Sequence, residues 1–88
     1  MNNDIEKLNA AVDAFAGAMK ERFQQKVKEG YTGWDGDYPT QNILEEIKRD
    51  AEFLHEDHCW ETRFKPGKLS VDIANRCMML WYREKNRV

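Results

Sequence analysis

Residues 71–82 read VDIANRCMMLWY, and no other stretch restricts the fold as much. Wound as a helix, Val71, Ile73, Ala74, Cys77, Met78, Met79, Leu80, Trp81 and Tyr82 cover nearly its whole circumference. A helix apolar on every side has to be buried on every side. In a chain of 88 residues that is hard to arrange, because a small chain buries a smaller share of its surface than a large one. Three Trp, three Tyr, four Phe and four Met enlarge the apolar load. The pattern predicts a single domain over 1–88, completed by self-association into a homo-oligomer.

Two further apolar stripes precede this run. Ile5, Leu8, Val12, Phe15, Met19 and Phe23 recur at steps of three and four, the spacing of one helix face. Asn3 or Asp4 can cap that helix, and Gly30 ends it. Glu6, Lys7, Asp13, Lys20 and Glu21 make its solvated side, while Gly17 weakens its middle or admits a close neighbour. "GYTGWDGDYP" is a loop by composition. A second helix starts with Thr40 as N-cap and carries Ile43, Leu44, Ile47, Ala51 and Leu54. "CWETRFKPGK" reads as a second loop, and the third helix opens near Leu69 or Ser70 and runs to about Lys85. No strand pattern competes, so the expected class is all-α.

Fourteen Lys and Arg against sixteen Asp and Glu give a formal net charge of −2. A non-specific nucleic-acid binder needs a basic excess to replace counterions, so that class is excluded. The N-terminus lacks a basic segment followed by an apolar core, and no stretch approaches the roughly 18 apolar residues of a membrane span. The expectation is a cytoplasmic protein, not engaged with a membrane, whose Cys59 and Cys77 stay reduced.

Three polar residues interrupt the greasy run: Asp72, Asn75 and Arg76. Asp72 shares a face with Asn75 and can pair with Arg76 four residues on. One explanation is local, since a carboxylate in the first turn suits the helix dipole. The other is functional: Asp72 looks across a groove at the acid-rich second helix. There Glu46 and Asp50 stand one turn apart, a like-charge pair that costs stability unless a cation lies between them. Carboxylates from two helices are how a bundle builds an oxygen-lined Mg²⁺ site, and Mg²⁺ usually arrives with phosphates.

"VDIANRCMMLW" resembles the "DVANFAMM"-type segment of small phage-encoded MazG-like proteins, members of the all-α nucleoside triphosphate pyrophosphohydrolase superfamily. "KVKEGYTGWDGD" resembles their short K-G-G-W stretch, and "NILEEIKRDAEFL" falls where their glutamate-rich helix lies, so that the likeness spans about residues 20–82. The resemblance implies a three-helix MazG-like hairpin bundle. It also implies Mg²⁺ held by an E-x-x-E pair on one helix and an E-x-x-D pair on the next. In this register the first pair becomes Asp50 and Phe53, the second Leu69 and Asp72. Two of the four acids are replaced by apolar residues and a third is shortened, which removes half the charge and with it most of the metal-assisted chemistry.

The resemblance with its losses implies a phage-type protein of the host cytosol that binds or sequesters a nucleotide or cyclic-nucleotide signal, an anti-defence role, without efficient hydrolysis. Tyr31, Trp34, Asp72 and Asn75 would meet the base or sugar; Lys28, Lys65, Lys68 and Arg76 would take phosphate. Tyr31, Trp34 and Tyr38 of the Gly-rich loop can stack on a base, with Lys26 and Lys28 close in sequence to meet phosphates, and Lys65 and Lys68 flank a helix start that suits anions. Trp34 has a purely structural alternative, capping the end of the bundle. One rival function is an active Mg²⁺-dependent pyrophosphohydrolase using Glu46, Asp50 and Asp72, with Glu46 and Glu52 as substitutes for the lost acids. Another is a structural or adaptor bundle without a small-molecule ligand.

"HEDHC" places His55, His58 and Cys59 at helical spacing, yet matches no common zinc signature, so zinc is not expected. Cys77 reads as a small core residue. "WDGD" begins a calcium-loop pattern and lacks its closing Glu. Gly-x-Ser-x-Gly, P-loop and Cys/His nucleophile pairings are absent from the sequence.

Overall fold

The structure is a computed structural model and describes residues 3–60 and 66–86, apart from the side chains of 57–60 and 66. Three helices follow in order: α1 (Asn3–Lys28), α2 (Thr40–Trp60) and α3 (Pro66–Lys85). Among the described residues there is no strand, and no helix is long and apolar enough to cross a membrane. The chain is all-α.

Two helix boundaries differ from the sequence reading. The Pro39 carbonyl accepts from Asn42 N–H at 3.1 Å and Ile43 N–H at 3.4 Å. Pro39 is therefore the residue that caps α2, with Thr40 already inside it. α3 begins at Pro66, about one turn before Leu69, because proline is tolerated in a first turn where its missing N–H has no intrahelical partner. Gly67 and Lys68, expected in a loop, are helical, and so is the backbone of Cys59 and Trp60.

α3 is the central helix. α1 and α2 both pack against it, and among the described residues they do not pack against each other. Burial is sparse: among the described residues Ile43, 1% exposed, is the sole buried hydrophobic side chain. The all-round burial expected of α3 does not occur within one chain, since Trp81 and Cys77 are exposed and most of its other residues are half-buried. Cys77 is thus a free, exposed thiol rather than a core residue. On α1 every residue from 3 to 15 is exposed, the apolar stripe included. The radius of gyration, 14.9 Å, exceeds the roughly 12 Å of a compact chain this long. α1 extends beyond the two helices that could cover it.

Candidate functional site

Where α1 and α2 diverge from α3 they leave a cleft of about 160 Å³. Its floor is α3, through Asp72, Asn75, Arg76 and Met79; Arg22, Phe23, Lys26 and Val27 of α1 form one wall. The Gly-rich loop and the start of α2 close the other side with Tyr31, Trp34, Tyr38, Ile43 and Glu46.

Local geometry explains why the aromatic side chains stand there. α1 ends in a Schellman motif: Gly30 takes φ +96°, Gly30 N–H donates to the Val27 carbonyl at 3.0 Å, and Tyr31 N–H donates to the Lys26 carbonyl at 3.0 Å. That reversal folds Tyr31 back along its own helix, with Lys26 Nζ 4.5 Å from the ring centroid. Gly33, at φ +84°, makes the next turn, and its carbonyl accepts from the N–H groups of Gly36 and Tyr38. Arg83 of α3 ties this loop down by donating to the carbonyls of Gly36, at 2.8 Å, and Tyr38. Trp34 meets Tyr82 edge to face, with centroids 5.1 Å apart and planes at 62°. It both closes the bundle end and lines the cleft.

The charges inside are paired across helices. Arg22 of α1 donates through Nε to Asp72 Oδ1 at 2.9 Å, and its other arm reaches Gln25 Oε1 at 3.0 Å. Arg76 donates to Glu46 Oε2 at 2.7 Å and to Asp50 Oδ2. The cation between the two acids of α2 is therefore a guanidinium. Glu46 Oε1 accepts from the Tyr38 hydroxyl, and Asp50 Oδ1 accepts from Arg49 at 3.4 Å, so both oxygens of both carboxylates are engaged. The hydrogen bond to Glu46, burial and the nearby negative charge together push the Tyr38 phenol pKa up from its ordinary value. Tyr38 stays a protonated donor.

Among the described residues the buried polar side chains, Asp50 and Asn75, each 5% exposed, belong to this assembly. Asn75 Nδ2 donates to the Met19 carbonyl at 3.4 Å. A carbonyl can only accept, so this contact fixes the amide with its NH₂ toward α1. Asn75 Oδ1 is left buried and without a partner among the described residues. Such a group costs stability unless something donates to it.

The residues expected to act together are partly gathered. Tyr31, Trp34, Asp72, Asn75, Arg76 and Glu46 line the cleft. Asp50 stands behind Arg76 and does not line it, while Asp72 pairs with Arg22 rather than with Arg76. Lys28 is exposed outside the cleft, and Lys68 lines a separate groove beside Ala14, Phe15 and Val71. Lys65 and the side chains of His58 and Cys59 lie outside the described residues. Among the described residues no three His, Cys, Asp or Glu side chains gather closely enough to hold a metal.

Arg22, Phe23 and Met79 complete the site without having been singled out for it, and Tyr38 and Lys26, read from the sequence beside Tyr31 and Trp34, line it too. Arg22 carried a signal. It falls three residues after Met19, in step with the stripe of α1, just as Asp72 interrupts the run of α3. Two opposite charges, each misplaced on its own apolar face, find each other.

No family model, no curated protein and no solved structure matches the chain.

Proposed function

We propose that the chain is a MazG-like, phage-type protein of the cytosol that works as a homo-oligomer. In this reading it binds a nucleotide or cyclic nucleotide in the cleft, holding it without hydrolysing it. The observation that carries this is the cleft itself, walled by Phe23, Tyr31, Trp34 and Tyr38 and floored by Asn75, whose buried side-chain oxygen has no partner among the described residues. A cavity of about 150 Å³ takes up one benzene ring, and the 160 Å³ here opens outward. A planar base enters between the aromatic side chains, where stacking is worth about 1–3 kcal/mol per base. Sugar and phosphate then lie toward the open side, within reach of Lys26, which already lines the cleft, and Lys28.

Retention without hydrolysis follows from the ion pairs. Mg²⁺ is held by one or two carboxylates together with the substrate's phosphates, and it would supply the charge neutralisation and activated water that pyrophosphate release needs. Glu46 and Asp50 have both oxygens engaged, with Arg76 between them, and Arg22 takes Asp72. This donor set does not suit the metal. In this reading the Arg76 guanidinium supplies the positive charge between Glu46 and Asp50 that a metal would otherwise bring.

Thermal-shift and calorimetric titration against mono-, tri- and cyclic nucleotides, each with and without Mg²⁺, tests the reading. A ligand at 100 times its Kd adds about 2.7 kcal/mol of stability, and that shift is expected without Mg²⁺ and without pyrophosphate release. Steady pyrophosphate release would instead establish the Mg²⁺-dependent pyrophosphohydrolase. Indifference to every nucleotide would leave an adaptor bundle.

A further inference from the structure

We infer that the N-terminal half of α1 is a self-docking surface, on which α1 of a second copy lies antiparallel over residues 3–17. The inference rests on the homo-oligomer proposed above and names its seam.

All residues from 3 to 15 are exposed, and four large apolar side chains share one face: Ile5, Leu8 at 61% exposure, Val12 at 63%, and Phe15. Scattered exposed hydrophobics are ordinary, but a continuous apolar strip marks an interaction site. Along the same face Met19, Arg22 and Phe23 are half-covered, and Arg22 and Met19 bond to α3. One stripe thus has two partners, α3 for its second half and an unfilled place for its first.

The sequence fits that place to itself. In heptad terms Ile5 and Val12 are a positions, Leu8 and Phe15 d positions. A two-fold axis at Ala10 sets Ile5 against the partner's Phe15 and Leu8 against the partner's Val12, an isologous contact. Asn9, Ala11, Ala16 and Ala18 flank the seam. These small side chains let the two helices approach closely, and the one charged flanking residue, Asp4, lies at the end of the seam.

Direction follows from the fold. In this register residue 3 of one copy ends opposite residue 17 of the other, just before α3 takes over the stripe at Met19. A parallel copy would run its own second half into α3. Antiparallel packing also opposes the helix dipoles.

The seam extends about 21 Å at 1.5 Å per residue, and a standard interface takes roughly 800 Å² per partner. A groove adjoining Phe15, lined by Ala11, Ala14, Ala18, Gly67 and Val71, enlarges it.

Sedimentation of the full chain is compared with that of a Leu8→Asp/Val12→Asp variant. Both side chains are exposed in a single chain, so the variant keeps its helix content by circular dichroism. It is expected to sediment as a smaller species than the wild type. A monomeric wild type at high concentration would overturn self-association and seam together. An oligomer indifferent to the two aspartates would overturn the seam alone. Orientation is read by cross-linking in a background without Cys59 and Cys77: Leu8→Cys mixed with Val12→Cys yields a disulfide-linked pair, whereas either alone does not. Self-linking of either variant would refute the antiparallel register. The nucleotide titration, read on the same variants, is expected to be unchanged because the cleft lies on the other half of α1.

Discussion

Glu46 and Asp50 stand one turn apart on α2, where two like charges destabilise a helix by a few tenths of a kcal/mol even in water and by more when half-buried. Arg76 answers both at once, from a side chain only 17% exposed, and its planar fork suits a pair of carboxylates better than an ammonium does. Replacing it by Ala strands two partly buried acids, and removing one partner of such a network costs about 3–5 kcal/mol. Arg76→Lys keeps the charge and loses part of the bonding, at about 1.5–3 kcal/mol. If the guanidinium stands where a metal would, its removal has a second consequence. Mg²⁺ is expected to raise the melting temperature of Arg76→Ala and to leave that of the wild type unchanged. A differential thermal scan with and without Mg²⁺ reads this directly. Equal insensitivity of both proteins would show that Glu46 and Asp50 are structural only.

At the level of elements, the two glycines of the α1 region make opposite predictions. Gly17 lies within the helix with nothing within 4 Å of where a Cβ would stand. Gly17→Ala therefore only removes the backbone freedom of the unfolded chain, and is expected to add about 0.5–1 kcal/mol in urea unfolding. Gly30 has equally open surroundings but φ +96°, so Gly30→Ala is expected to cost about 1–2 kcal/mol and to weaken nucleotide binding by displacing Tyr31 from Lys26. The difference is one of backbone, not of space. The sequence announced both glycines, and the three apolar stripes announced the three helices. What it did not announce was which residues face one another over long separations. Arg22 and Asp72 are fifty positions apart, and only the packing of α1 on α3 makes them a pair. Lys26 and Lys28 were both read as meeting phosphates, and only Lys26 lines the cleft, because two residues turn a helix by about 200°. Periodicity reports which face of a helix is apolar and is silent about what covers it, which is why the burial expected around α3 is missing from the single chain.

For the whole molecule the consequence is energetic. One buried hydrophobic side chain among the described residues, a radius of gyration above that of a compact globule, and apolar side chains exposed on all three helices describe a chain with little core of its own. Ile5, Leu8, Val12 and Phe15 on α1, Leu44 and Phe53 on α2, and Trp81 and Tyr82 on α3 are each more than a third exposed. Burying apolar surface is worth about 25 cal/mol per Å², so association recovers stability that folding alone leaves unused. Folding and association are then linked, and stability depends on protein concentration. The melting temperature of the wild type is expected to rise with each tenfold increase in concentration. In Leu8→Asp/Val12→Asp it is expected to lie lower and to move less, because part of the association is gone. A concentration-independent midpoint in the wild type would mean that the sparse core suffices, and that the exposed stripe of α1 does not take part in holding the fold together.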